Sequence, residues 1–239
     1  GFRLCQRGRS RFALTEEGQQ VYEYTLELLS SIETFRTQVN TLHTQLIGEL
    51  NIGITDNLVT MPKMKITNAL AELKKQGPEV VINIRMIPPN EIELGVLDGK
   101  LHVGMVPTLR SLSGLNYQPL YEERSKLYCS DGHPLFDARD DDIDLKAWDA
   151  VAPAYAQTPE IKTCYQQLKA TATATDREGI AFLILTGEYI GYLPEHLAQR
   201  WVKEGRMRAL NPEENHYQTQ FSVITRKGAR SNLVLETYL

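Results

Sequence analysis

The 239-residue chain is poor in cysteine. Its three (Cys5, Cys129, Cys164) are odd in number and show neither CxxC nor metal-type spacing, so the chain carries no disulfide framework or zinc motif. A reduced, cytoplasmic setting follows from this. Cys129 and Cys164 could form a redox-sensing pair, but buried or incidental thiols fit better. Long apolar runs are also missing. None approaches the roughly 18 residues that span a bilayer, and Arg and Gln interrupt the N-terminus where a signal peptide would have its apolar stretch. No membrane partner is expected. Catalytic signatures are absent as well: there is no GxSxG, P-loop or GxGxxG, and His43, His102, His133, His196 and His216 have no paired-ligand spacing. His133-Pro134 reads as a turn, not as a base. The residues propose no reaction, so we expect no enzyme, no metal and no cofactor.

Acid is missing from the first twelve residues, which hold Arg3, Arg7, Arg9 and Arg11. With a net charge of −4 overall, the other 227 residues carry eight excess negative charges. An acidic body repels nucleic acid, so any such contact belongs to the N-terminal edge. Gly1–Ala13 reads as an irregular or hairpin segment. Thr15 is a good N-cap for the helix that follows, with Glu16 and Glu17 in its first turn. Leu28, Ile32, Phe35, Val39, Leu42 and Leu46 recur in steps of four and three. Val21 extends the series upstream, and Thr25 interrupts it. That is a coiled-coil seam, and it implies a partner helix; packing on the chain's own body is the alternative. The helix is expected to reach Ile47 and stop at Gly48.

From Glu49 onward strands and helices alternate. Leu50–Ile54, Val80–Ile87 and Leu101–Val106 read as strands around helices Pro62–Gln76 and Glu91–Leu97, a βαβαβ pattern that predicts a mostly parallel sheet. The second half repeats the alternation. Its strands are Gln118–Cys129, Val151–Tyr155, Ala170–Ala174, Tyr189–Leu193, Met207–Leu210 and Gln218–Thr225. Its helices are Pro159–Leu168, Gly179–Thr186, Glu195–Glu204 and Asn232–Tyr238. This predicts an α/β fold of two Rossmann-like lobes that the chain crosses twice, near 118–121 and 211–217. Two crossings make a hinge, and a hinged cleft takes a small ligand.

Ligands of α/β folds bind at strand C-termini, where helix N-termini favour an anion. Thr55, Asp56 and Asn57 form such a loop after the first strand. Asp56 is ambiguous: it could cap a helix and exclude anions, or select an amine or zwitterion. Val106 and Pro107 end the third strand on the same edge. From the second lobe, Tyr155 and the pair Thr175 and Asp176 are placed to face them, with Leu193 and Pro194 as an apolar wall. A carboxylate or zwitterion is the expected ligand.

The segment Leu4–Gly18 (LCQRGRSRFALTEEG), the long helix, and the motifs Gly48-Glu49-Leu50-x-Ile52-Gly53, Leu97-Asp98-Gly99-Lys100-Leu101 and Gly187-x-x-Ile190-Gly191-Tyr192-Leu193-Pro194-Glu195 resemble a LysR-type transcriptional regulator. The resemblance covers the whole chain. It implies a periplasmic-binding-protein-like, hinged effector domain behind a linker helix and a winged helix-turn-helix domain, of which only the wing is present. Residues 1–14 would be that wing, 15–47 the dimerising linker helix, 48–118 with 217–239 one lobe, and 119–216 the other. Arg7, Arg9 and Arg11 would contact the phosphates of double-stranded DNA, which positions a protein without specifying sequence. Thr55 and Asn57 would contact the effector, and the chain would pair as a dimer or tetramer. The family has Phe where Cys5 stands, and its recognition helix would precede Gly1. The competing class is a bilobal solute-binding protein without a role on DNA.

Overall fold

A computed structural model of the chain describes residues 3–7, 12–41, 48–61, 65–140 and 143–228. Strands β1 (Cys5–Arg7) and β2 (Phe12–Leu14) pair as an antiparallel hairpin, with Cys5 opposite Leu14. Thr15 joins the hairpin to helix α1 (Glu16–Thr41). Its Oγ1 accepts from the Gly18 amide at 2.9 Å and donates to the Arg3 carbonyl at 2.6 Å, while its own amide donates to the Leu4 carbonyl at 3.1 Å. An added Cβ on Gly18 would stand 1.9 Å from that Leu4 oxygen. A capping hydroxyl and a glycine-only approach therefore hold the hairpin against the helix start.

Helix α1 is about 39 Å long at 1.5 Å per residue. Val21, Leu28, Ile32 and Phe35 of the seam are all exposed, so the chain's own body does not cover them and the alternative of intramolecular packing fails for these positions. The hydroxyl of Tyr22 reaches Lys100 beyond the seam, a hydrogen bond that raises the lysine's pKa. The expected end of the helix, with Leu42, His43, Leu46 and Ile47, lies outside the described residues.

The first lobe contains β3 (Glu49–Ile54), α2 (Lys65–Gln76), β4 (Val81–Met86), α3 (Pro89–Leu97) and β5 (Val103–Pro107), with β3 parallel to both neighbours. Side chains alternate across β3. Leu50 and Ile52 pack with Leu73 of α2, whereas Gly53 lies where α3 crosses the other face. At Gly104 of β5 an added Cβ would meet Ile92 Cγ2 at 2.4 Å and Ile224 Cγ1 at 2.8 Å. Gly104→Ala therefore overpacks this face, at an expected cost of about 1–3 kcal/mol. In urea it should lower the midpoint without changing the slope; an unchanged midpoint would mean that α3 can shift freely.

Strand β6 (Leu115–Ser130) then leads into β7 (Asp149–Pro153), α4 (Pro159–Gln166), β8 (Lys169–Ala174), α5 (Arg177–Leu185), β9 (Gly191–Pro194), α6 (Glu195–Lys203), β10 (Met207–Ala209) and β11 (His216–Arg226). The parallel sheet expected of the βαβαβ segment is what β3, β4 and β5 form, as part of a larger, mixed sheet. One seven-stranded sheet runs β10-β6-β11-β5-β3-β4, with β9 also on β6, and only β3, β4 and β5 are parallel within it. The physical reason is the double crossing. Strands β6 and β11 carry the chain out of the first lobe and back, so they pair antiparallel along the whole connection. A register shift between Phe221 and Ser222 leaves Leu120 without an opposite residue, and such a bulge bends a strand pair. In the second lobe β7 and β8 form a separate parallel pair.

Among the described residues, two buried clusters lie in each lobe. The second lobe's are built around Ile180, Ile184, Leu193 and Trp201, and around Leu127, Ile190 and Leu210. No described helix is long and apolar enough to cross a membrane. The expected helix Asn232–Tyr238 lies outside the described residues.

Candidate functional site

A cavity of about 300 Å³ opens between the lobes. The first lobe contributes Thr55 and Asp56 after β3, Met86–Pro89 after β4, and Pro107 at the end of β5. The second contributes Tyr155 after β7 and Thr175–Glu178, where β8 turns into α5. Every one of these segments lies at or just after the C-terminal end of a parallel strand, the position at which α/β sheets bind ligands.

The sequence-predicted residues divide into two groups. Thr55, Asp56, Pro107, Tyr155, Thr175 and Asp176 are brought together around the cavity. Val106, Leu193 and Pro194 do not border it. Strand alternation turns Val106 toward α3, into the cluster with Ile92 and Val96. Leu193 packs with Ile180 and Trp201, and Pro194 is buried opposite Ser125. Asn57 supports the loop. It adopts the left-handed conformation with φ 60°, which asparagine tolerates, and donates from Nδ2 to Asp56 Oδ2 at 2.7 Å. Arg7 ends β1, whereas Arg9 and Arg11 lie outside the described residues.

Arg177, which the sequence reading missed, is the centre of the site. Its backbone N–H donates to Asp56 Oδ2 at 2.8 Å and its Nη1 to Asp56 Oδ1 at 3.1 Å, joining lobe to lobe. Its Nη2 donates to Glu123 Oε1 at 2.9 Å on the crossing strand β6. The guanidinium carbon also sits 5.5 Å from the ring centre of Phe221 on the other crossing strand. Burial opposes its charge, but Glu123, Tyr155 and Asp56 outweigh this and raise its pKa.

The network continues past Glu123. Its Oε2 meets His196 Nε2 at 3.0 Å, and His196 Nδ1 meets Thr60 Oγ1 at 2.7 Å. Glu123 is only 2% exposed, so this carboxylate depends on Arg177 and His196 for its stabilisation.

Asp176 caps α5 through Gly179 N at 2.7 Å, and Thr175 donates to its other oxygen at 3.3 Å. Thr55 is different. Its hydroxyl is buried and has no hydrogen-bond partner, a costly condition that a ligand would relieve. Tyr155 is pushed to a higher pKa chiefly by burial, so at neutral pH it is a phenol that can donate.

Elsewhere, Cys129 is buried and its thiol is pushed up to about 11, chiefly by that burial. A thiol held protonated is a poor nucleophile. His133 accepts from the Leu135 amide with Nδ1 and stacks edge-on against Trp148, a structural role in its turn.

Residues 43–238 match the model of the LysR substrate binding domain. The chain belongs to the LysR family of transcriptional regulators. This LysR-family chain is 58% identical over 242 residues to the HTH-type transcriptional activator BauR of Pseudomonas aeruginosa, covering all of the chain and 79% of that protein. Its fold is similar to that of full-length LysG from Corynebacterium glutamicum with bound effector Arg, with a TM-score of 0.66, 15% identity and coverage of 98% of this chain and 80% of that one. It is also similar to full-length CbnR complexed with its target DNA, with a TM-score of 0.58, 15% identity and coverage of 99% and 82%.

Proposed function

We propose that this LysR-family chain is the sensing and dimerising part of a cytoplasmic regulator, without catalytic activity. A small effector binds in the cleft between lobes 48–118 with 217–239 and 119–216. Binding favours one lobe arrangement, and α1 passes that preference to DNA-binding modules of a dimer or tetramer on double-stranded DNA, by population shift. Arg7, Arg9 and Arg11 of the wing, residues 1–14, contact phosphates, and residues 15–47 form the pairing helix. Thr55, Asp56, Tyr155, Thr175 and Asp176 line the effector site.

The observation that carries this reading is the cavity at the strand ends of both lobes, crossed by the Asp56–Arg177 ion pair. A ligand there touches groups whose mutual contact sets the lobe spacing. The exposed seam of α1 favours a regulator over a solute-binding protein, because a monomeric binder has no use for it.

Mass in solution and a thermal-shift screen of small metabolites test the proposal together. We expect at least a dimer, and a ligand at a hundred times its Kd should stabilise by about 2.7 kcal/mol. Thr55→Val should weaken that ligand. A strict monomer, or a ligand indifferent to Thr55→Val, would overturn the reading.

A further inference from the structure

A helix N-terminus beside a buried guanidinium ordinarily receives an anion. Here the chain fills that position itself. Asp56 takes the Arg177 amide and Nη1, Asp176 takes the Gly179 amide, and Glu123 takes Nη2. Among the described residues that line the cavity are three carboxylates, Asp56, Asp176 and Glu178, and one cation, Arg177.

From this we propose that the cleft selects an organic ammonium, with Asp56 as the specificity-determining residue, and that it rejects simple carboxylates. The inference rests on the preceding reading of the cleft as the effector site. A carboxylate has about four acceptor positions. Asp56 uses three of them, for the Arg177 amide, Arg177 Nη1 and Asn57 Nδ2. One remains, on a side chain that is 29% exposed. The unpartnered Thr55 hydroxyl is a second acceptor on the same loop. An ammonium brings three donors and suits both. An incoming carboxylate meets like charge and finds the Arg177 amide and Nη1 already engaged. Met86, Pro88 and Pro89 offer apolar surface to the carbon body of the ligand. A zwitterion qualifies through its ammonium end.

The test is thermal shift of the unmodified chain with propyl to hexyl primary amines as hydrochlorides, compared with carboxylates and alcohols of equal length at equal ionic strength. Amines should raise Tm, and the acids and alcohols should not. Asp56→Asn should weaken the amines about tenfold or more and, by freeing the α5 amide and Nη1, let carboxylates raise Tm. If Asp56→Asn does not fold, the three ligand series on the unmodified chain still decide. Stabilisation by carboxylates without amines, or by neither, overturns the ammonium class. A carboxylate shift abolished by Thr55→Val would do so while leaving the cleft as the effector site. An amine shift that survives both Asp56→Asn and Thr55→Val means binding elsewhere, and then the cleft reading falls as well.

Discussion

Replacing Arg177 by Met should destabilise the protein by about 3–5 kcal/mol, because it strips a buried carboxylate of its strongest partner. Glu123 is 2% exposed and would keep only His196 Nε2 at 3.0 Å. Asp56 would lose both contacts from Arg177 Nη1 across the cleft, to its Oδ1 and to its backbone carbonyl, and keep the backbone amide at residue 177. Set against a typical total stability of about 5–15 kcal/mol, such a loss shows directly in a urea titration. The double variant Arg177→Met/Glu123→Gln should recover part of it, since the neutral amide no longer needs a counter-charge. The two changes should therefore be strongly non-additive, as contacting residues are. Additive losses would mean that Arg177 acts through packing on Phe221 and not through the ion pair. The same variant should also weaken coupling between the lobes, because Asp56–Arg177 is a direct side-chain link from β3 to α5.

Gly18→Ala is expected to detach the hairpin from the helix. The added methyl would stand 1.9 Å from a backbone carbonyl, that of Leu4, which has no rotamer by which to yield. The Thr15 amide and hydroxyl bonds to Leu4 and Arg3 should go with it. In hydrogen exchange the Thr15 amide should lose about tenfold or more of its protection, or at least 1.4 kcal/mol of local stability. The lobes make no use of this junction, so their unfolding should be unchanged. On the proposed function the variant also loses affinity for DNA, since the wing no longer holds a set direction relative to α1. Retained protection at Thr15 would show that the helix start rotates to make room, and would remove Gly18 from the argument.

Much of the architecture was legible because it depends on local rules. The seam of α1 follows from residue spacing, and the Thr15 cap from hydroxyl chemistry. The strand–helix alternation was readable from the same kind of pattern: Leu50 and Ile52 alternate with Asn51 and Gly53, and the cores on either side of β3 reflect this. The parallel run of β3, β4 and β5 was readable too, but the antiparallel remainder of their sheet cannot be read from each strand by itself. Direction within a sheet depends on where the chain goes next, and β6 and β11 run between the lobes in opposite senses.

The site was half legible. Thr55, Asp56, Pro107, Tyr155, Thr175 and Asp176 line the cavity, as expected, because strand ends can be located in a sequence. Arg177 opens α5, and a cation in a helix's first turn opposes the macrodipole, which was itself a signal. Glu123 left another. It shares strand parity with Leu127 and Cys129, both fully buried, so a charge stood on the inward face. Val106 and Leu193 failed for the reverse reason. Their position at strand ends was right, but the parity of each strand turns them into the lobe cores.

By itself, then, the sequence determined the elements, the bilobal α/β class, the exposed pairing seam and the loops that edge the cleft, since all of these follow from periodicity and from residue chemistry within a few positions. Only the tertiary structure decided what the cleft contains. Asp56 and Arg177 stand 121 positions apart, and Arg177 and Glu123 stand 54 apart. Whether a carboxylate excludes an anion or binds one depends on which cation lies against it. That is a matter of distance in space, and it is set when two lobes close on a shared pair of strands.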